Sequence, residues 1–168
     1  MSAEPAIVVI GIGNLLRHDD GVGSRVARQL EALAPPGVEV RTHDGGGLGL
    51  MDAWKGVSAA VVVDAVSSGA PAGTIFRFDA AAQPLPEHLG ATCSTHGFGL
   101  DNAVELARIL NRLPGRLIVI GVEGGDFSRG SGLSSAVEGA VERAVEAVME
   151  EIGRPATPGL RRGEAEHA

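Results

Sequence analysis

The amino-acid sequence predicts one three-layer α/β/α domain around a five-stranded, mostly parallel mixed sheet. Apolar runs rich in Val and Ile alternate along the chain with segments whose apolar residues recur at helical spacing, which is the pattern of this fold class. The chain has 168 residues, enough for one domain with a sizeable core. Only 3% of them are aromatic, so the core must consist of Val, Leu, Ile and Ala, which suits a parallel sheet covered by helices.

Five strands are predicted from the apolar runs. The continuous, β-branched runs at 6–12, 59–66 and 117–123 are typical of strands buried on both faces. The alternating segment 37–43 predicts a strand nearer an edge of the sheet. The segment 73–79 also alternates, and it follows the preceding strand too closely for a crossover, so we expect it to run antiparallel to that strand.

Helical spacing predicts helices at 22–34, 47–54, 98–112 and 135–152. The last of these opens with Ser135-Ala136-Val137-Glu138, which is a capping-box pattern. The segment 154–168 is polar and rich in Pro and Gly, so the predicted domain is 1–153 and the remainder is expected to be a disordered tail.

Composition excludes several classes of function. A net charge of −7 argues against nucleic-acid binding, which needs a basic surface. Cys93 is the only cysteine, which excludes an internal disulfide and a thiolate zinc cluster, and no Gly-x-Ser-x-Gly motif supports a serine hydrolase. No apolar run is long enough to span a membrane, and we expect the protein in the cytoplasm.

The segment GIGNLLRHDDGVG (11–23), after the first strand, combines glycines with two adjacent carboxylates. Its first two glycines match the start of a dinucleotide-binding fingerprint, but a leucine occupies the place of the third. Asp19 and Asp20 would also obstruct a pyrophosphate, which needs free N–H groups at a helix N-terminus. We therefore expect Gly11 and Gly13 to turn the backbone so that the loop presents Asp20 to a cation.

Acidic residues follow or end three of the predicted parallel strands. The first strand leads into Asp19-Asp20, the second ends in His43-Asp44, and the third carries Asp64 within the run VVVDAV. Because ligands of open α/β sheets bind at the carboxyl ends of the strands, we expect these acids to gather there.

Asp64 carries the strongest functional signal of these acids. A carboxylate in a buried strand destabilises the fold by several kcal/mol unless it is paired or holds a metal. An N-cap role, or pairing with Arg25 or Arg77, would be a purely structural explanation of Asp64.

His96 precedes a predicted helix, in the segment CSTHGFGL. At the same edge as Asp20 and Asp64, its imidazole would complete a ligand set of two carboxylates and one nitrogen, suited to a divalent metal such as nickel or zinc. His18 and His43 flank acidic residues and are expected to support such ligands from outside.

With these residues assembled, the sequence resembles the nickel–iron hydrogenase maturation endopeptidases. The matching stretches are GIGNLLRHDDGVG after the first strand, DGGGLGL after the second, VVVDAV in the third and CSTHGFGL before the following helix. RLIVIGVE and GLSSAVEGAVERAVE match the closing strand and helix, so the resemblance covers about residues 6–152. It implies a five-stranded mixed sheet with helices on both faces.

The resemblance further implies an endopeptidase that removes the C-terminal extension of a nickel–iron hydrogenase large-subunit precursor after nickel insertion. The family's acid–acid–histidine set, which contacts this nickel, falls on Asp20, Asp64 and His96. Such a set leaves coordination positions open, so nickel supplied by the precursor fits better than a resident ion. The metal would polarise the scissile carbonyl, activate a water, or only license binding. Asp44 is a further candidate, as general base or positioning residue.

Two other functions stay open at this stage. One is hydrolysis of a small substrate by an enzyme with a resident metal. The other is a non-catalytic maturation chaperone that senses nickel in a partner protein. Metal in the purified chain would favour the first, and a precursor that stays uncut would favour the second.

Overall fold

The computed structural model describes residues 6–45, 47–87, 89 and 99–154. The strands are β1 (Ile7–Ile12), β2 (Val38–His43), β3 (Ala59–Val66), β4 (Ile75–Asp79) and β5 (Arg116–Glu123). The helices are α1 (Val22–Leu33), α2 (Gly47–Ala53), α3 (Leu100–Ile109), α4 (Ser135–Glu138) and α5 (Val141–Gly153), and a short 3-10 helix, His18–Gly21, precedes α1. All five predicted strands are confirmed, with ends that differ by at most two residues.

The strands form one sheet in the order β2-β1-β3-β5-β4. β2, β1, β3 and β5 are parallel, and β4 is antiparallel to β5. The predicted direction of β4 is therefore confirmed, although its neighbour is β5 and not β3. β5 lies between them because it is apolar along almost its whole length, and only a central position buries both of its faces. β2, predicted near an edge, is an edge strand.

Helices cover both faces of the sheet, which confirms the three-layer architecture. In β1, Val8 and Ile10 belong to a core shared with α2 and α3. Val9, which points to the opposite face, belongs to a second core shared with α1, α4 and α5. The four parallel strands end on one side of the sheet, here called the carboxyl edge, and the loops that leave this edge carry most of the candidate site residues.

The helix predicted at 135–152 is interrupted. α4 ends at Glu138 and α5 begins at Val141. The N–H of Ala140 bonds to the carbonyl of Val137, which closes a tight turn, and the glycine between them has a low helix propensity. The helix predicted at 98–112 also ends early, at Ile109, because Asn111 adopts a left-handed backbone conformation with φ 57°.

The predicted capping box at the start of α4 is wrong. Ser135 is already the first helical residue, and the preceding Ser134 makes no side-chain hydrogen bond to the helix. The hydroxyl of Ser134 donates instead to Asp19, and Glu138 pairs with Arg25. These side chains hold other segments of the chain against α4, which a local sequence pattern does not reveal.

Some predictions fall outside the described residues. These include Cys93, His96, residue 98 at the start of the helix predicted at 98–112, and nearly all of the segment 154–168. The domain boundary at residue 153 therefore stays a prediction. In the described parts of the chain, no helix has the length and apolar character needed to cross a membrane.

Candidate active site

Three glycines bring the loop after β1 against the start of α1. A Cβ on Gly23 would lie 2.2 Å from the carbonyl oxygen of Ile12, and one on Gly11 would lie 2.2 Å from that of Gly23. Gly13 has φ +152°, and a Cβ there would lie 1.8 Å from the carbonyl oxygen of Asp20. The turn predicted at Gly13 is confirmed. The turn expected at Gly11 is wrong, because Gly11 lies inside β1 and allows close packing of α1 instead.

Asp20 lies in the 3-10 helix that follows this turn, half buried. The N–H of Asn14 donates to its Oδ2 at 2.9 Å, which fixes the carboxylate beside the glycine turn. Burial raises the pKa of Asp20, and the hydrogen bond from Asn14 and the positive charge of Arg17 offset this rise only in part.

Asp64 is buried near the end of β3, as expected. The N–H of Ala65 donates to its Oδ1 at 2.8 Å. Burial raises the pKa of Asp64 well above its ordinary value, and the negative charge of Asp20 raises it further. The structure thus brings Asp20 and Asp64 close enough to repel each other, as the strand-end argument predicts.

No ion pair with a described residue balances these two carboxylates. The structural partners considered for Asp64 are engaged elsewhere: Arg25 pairs with Glu138 at 2.8 Å, and Arg77 pairs with Glu151. The guanidinium of Arg17 attracts Asp20, but no hydrogen bond joins the two side chains. Pairing with Arg25 or Arg77 therefore does not explain Asp64.

Asp19 has a different role from Asp20, and sequence reasoning missed it. Its carboxylate is fully buried and accepts four hydrogen bonds of 2.7–2.9 Å, from the N–H groups of Gly125, Asp126 and Ser134 and from the hydroxyl of Ser134. Burial alone would raise the pKa of Asp19, but these donors together outweigh it and lower the pKa. Asp19 thus fastens the segment after β5 to the loop that carries Asp20.

His18 strengthens the same junction. The backbone N–H of His18 donates to the carbonyl of Gly130 at 2.9 Å, and the backbone N–H of Gly130 donates to the carbonyl of Leu16 at 2.9 Å. The ring Nδ1 of His18 lies 2.9 Å from the carbonyl oxygen of Gly132, so this nitrogen carries the proton. His18 thus helps to position the loop that contains Asp20, and its support of a metal ligand stays a prediction.

His43 and Asp44 lie at the carboxyl edge, at the end of β2. The Nδ1 of His43 accepts a hydrogen bond from the N–H of Gly45 at 2.9 Å, so it acts as an acceptor toward the loop. The Oδ1 of Asp44 lies 3.5 Å from the same nitrogen, and the Asp44 side chain is 90% exposed. The role of Asp44 as general base or positioning residue stays a prediction.

Asp20 and Asp64 are two acidic ligands of the kind that a divalent cation requires. Across residues 6–45, 47–87, 89 and 99–154, no group of three or more His, Cys, Asp or Glu side chains is arranged to hold a metal ion. His96, the predicted third ligand, lies outside these ranges. The complete set of Asp20, Asp64 and His96 therefore stays a prediction.

Comparison with known proteins agrees with the fold. Residues 24–151 match the family model of the hydrogenase maturation proteases. The hydrogenase expression/formation protein HupD of Thiocapsa roseopersicina is 37% identical over 126 residues, which span 73% of this chain and 56% of that relative's length. The hydrogenase 2 maturation protease of Escherichia coli is 27% identical over 165 residues, which span 96% of this chain and 98% of that protein.

Solved structures show the same similarity. The hydrogenase-maturating endopeptidase HybD of Escherichia coli has a TM-score of 0.71 and 25% identity to this chain, and the match covers 88% of this chain and 93% of that one. The family match spans well over half of the sequence, and the fold agrees along most of its length. The chain therefore belongs to the hydrogenase maturation protease family, a family of peptide hydrolases.

Proposed function

We propose that this protein is an endopeptidase that removes the C-terminal extension of a nickel–iron hydrogenase large-subunit precursor after nickel insertion. Membership of the hydrogenase maturation protease family supports the reaction class. The observation that carries the proposal is the pair Asp20 and Asp64. The two carboxylates repel each other at the carboxyl edge, and neither forms an ion pair with a described residue. A buried carboxylate is stable there only when it is protonated or when a cation approaches it.

The nickel is proposed to arrive with the precursor. Carboxylate oxygens of Asp20 and Asp64 and an imidazole nitrogen of His96 form a set that suits divalent nickel and leaves positions for ligands from the precursor. Metal ligands must be deprotonated, so the environment that raises the pKa of Asp64 also disfavours the ligand form that a free ion needs. The enzyme alone is therefore expected to bind nickel weakly, and a loaded precursor is expected to complete the site.

The chain's own residues have separate tasks in this proposal. The Oδ1 of Asp64 accepts the N–H of Ala65. Its Oδ2 accepts no hydrogen bond from a described residue and is proposed to take up the proton or the cation. Asp20 is held by Asn14 beside the turn and presents the second carboxylate. Asp44 is proposed to position or deprotonate an attacking water from the edge of the site. Nickel, when bound, supplies positive charge close to the scissile peptide.

The proposed partner is the large-subunit precursor, and the proposed location is the cytoplasm, as expected from the sequence. The test incubates the purified protein with nickel-loaded and with nickel-free precursor and measures C-terminal truncation by mass. Only the loaded form should be cut, and casein, a control for general proteolysis, should stay intact. Asp64→Asn should abolish cleavage, whereas Glu138→Gln, which alters an exposed ion pair, should cleave normally.

Other outcomes would contradict the proposal in recognisable ways. Equal cutting of both precursor forms, or digestion of casein, would exclude dependence on nickel in the precursor. Stoichiometric metal in the purified protein, with hydrolysis of a small substrate, would indicate a resident-metal hydrolase. A precursor that is bound but never shortened would indicate a chaperone.

A further inference from the structure

Two large apolar side chains beside Asp20 are exposed to solvent. Leu15 is 40% exposed and Leu16 is 69% exposed. Leu15 packs against the backbone of Gly21, the residue after Asp20, since a Cβ on Gly21 would lie 3.1 Å from the Cα and Cδ2 of Leu15. The two leucines therefore border the candidate active site.

Hydrogen bonds hold the backbone of this segment in place, so the side chains of Leu15 and Leu16 are exposed in the folded loop. The N–H of Leu16 donates to the side-chain oxygen of Asn14 at 2.9 Å, and the N–H of Arg17 donates to the carbonyl of Asn14 at 3.1 Å. The carbonyl of Leu16 accepts the N–H of Gly130. These hydrogen bonds hold the backbone that carries the Leu16 side chain.

Arg17 follows the two leucines and is half exposed. Its guanidinium forms no hydrogen bond or ion pair with a described residue, and its one electrostatic interaction among them is the attraction to Asp20. Arg25, Arg77 and Arg116, by contrast, each pair with a glutamate. In a chain with net charge −7, this cation is available to an anionic group from outside.

We propose that Leu15, Leu16 and Arg17, here called the recognition loop, bind the precursor peptide next to its scissile bond. The leucines contact an apolar side chain of the peptide, and Arg17 pairs with an acidic side chain of the peptide. A peptide whose scissile bond reaches Asp20 and Asp64 must pass this loop. The molecule that contacts the loop is therefore the precursor peptide. The inference rests on the proposed function and adds the determinant of substrate choice.

The first test measures cleavage of nickel-loaded precursor by Arg17→Glu. KM should rise about tenfold at low ionic strength, because the substitution replaces attraction by repulsion at the rim of the site. Any fall in kcat, caused by the lost attraction between Arg17 and Asp20, should be smaller than the rise in KM. The rise in KM should shrink in high salt. Arg28→Glu is the matched control, since Arg28 is an exposed arginine on α1 without a described ion pair, and its KM should stay close to that of the wild type.

The apolar part of the loop has its own matched pair. Leu16→Ser should raise KM, whereas Leu33→Ser, which changes a leucine that is 58% exposed at the end of α1, should not. A KM that is equal in the two variants would remove the leucines from the proposal.

A charge swap identifies the partner of Arg17. Each Asp and Glu around the cleavage point of the precursor is changed to Lys, one at a time. One such precursor should bind poorly to the wild type and better to Arg17→Glu. The proposed role of the recognition loop is wrong if no substitution restores binding, or if Arg17→Glu and Arg28→Glu have the same KM. In both cases the wild type would still cleave the loaded precursor. If the wild type leaves the loaded precursor intact, the proposed function itself has failed.

Discussion

Asp19 and Asp20 are adjacent in the chain, yet their surroundings shift their pKa values in opposite directions. Asp19 accepts four hydrogen bonds, which overcome the effect of burial and lower its pKa. Among the described residues, Asp20 and Asp64 each accept a single backbone N–H, so burial prevails and their pKa values are raised. The number of donors thus decides the direction in which burial and hydrogen bonding together shift each pKa. Asp19 is an anchor, and the other two can take up a proton or a cation.

Asp64→Asn should raise the Tm of the metal-free protein at neutral pH and abolish precursor cleavage. The folded-state pKa of Asp64 lies well above the ordinary value of 3.8, so ionisation of Asp64 destabilises the fold. This destabilisation is absent below about pH 3.8 and grows until the pH passes the folded-state pKa. The gain in Tm should therefore disappear as the pH is lowered to about 4, in a series of thermal denaturation curves. A variant that is less stable than the wild type at neutral pH would show that Asp64 is structural.

The sequence reveals Asp20 and Asp64 better than it reveals Asp19. Asp64 is conspicuous because a charge interrupts an apolar run, and Asp20 because a glycine turn precedes it. The donors to Asp19 lie more than a hundred residues away, in the segment Gly125–Ser134, so no local pattern separates Asp19 from its neighbour. The glycines and polar residues after β5 indicate a loop, but they do not indicate that this loop donates hydrogen bonds to Asp19.

At the scale of elements, the close approach of α1 to β1 positions the whole loop between them. Gly11 and Gly23 permit it, because a side chain on either would collide with backbone atoms. The dinucleotide fingerprint uses its third glycine for the same purpose. Here the residue that allows close packing is Gly23, seven positions after Leu16, and the longer loop leaves room for the acids.

Gly23→Ala should destabilise the protein by about 3 kcal/mol in urea unfolding, because the added Cβ meets buried strand backbone that cannot move. The new atom would lie 2.2 Å from the carbonyl oxygen of Ile12 and 2.4 Å from that of Val63. Gly139→Ala is the control, since a Cβ there has its nearest neighbour at 3.4 Å and the backbone φ is −66°. The control should be neutral or more stable by up to about 1 kcal/mol. Equal stability of the two variants would contradict the close packing.

The elements themselves were predictable where the signal is local. The strands follow from apolar runs, and the direction of β4 follows from the short connection before it. The pairing of β4 with β5 depends on a strand that comes much later in the chain. The capping box was predicted wrongly because Ser134 donates to Asp19 and Glu138 pairs with Arg25, which a local pattern does not reveal. The break between α4 and α5 follows from the turn in which the N–H of Ala140 donates to the carbonyl of Val137.

At the scale of the whole molecule, buried carboxylates stabilise two distant regions. Asp19 holds the loops at the carboxyl edge. Glu151, only 2% exposed, pairs with Arg77, Arg116 and Arg154, and Arg116 begins β5 at the opposite end of the sheet. Burial would raise the pKa of Glu151, but these arginines outweigh it and lower the pKa. Both carboxylates therefore stabilise the fold when the pH is above their pKa values in the unfolded state. This stabilisation is lost as the pH falls through their lower pKa values in the folded state.

Asp19→Asn and Glu151→Gln should each lower the free energy of unfolding by about 2 kcal/mol, because charged acceptors are lost. Of the two variants, only Asp19→Asn should reduce kcat for the loaded precursor, by at least about tenfold, since Asp19, unlike Glu151, helps to fix the loop that carries Asp20. Urea unfolding and cleavage assays, at a temperature where both variants are folded, measure the two effects. An equal loss of kcat in both would mean that general stability, and not the position of Asp20, limits the reaction.

The hydrogen bonds between His18 or Asp19 and the segment after β5 join residues 106 to 115 positions apart. Contacts between such distant residues form late in folding, because the intervening chain must first be ordered. During synthesis on the ribosome, the aminoterminal acids emerge long before the residues that will hold their loop. A nascent chain that already contains Asp20 and Asp64 thus lacks the contacts that hold the loop of Asp20 in place. The proposed cleavage site forms only after the segment that follows β5 has been synthesised.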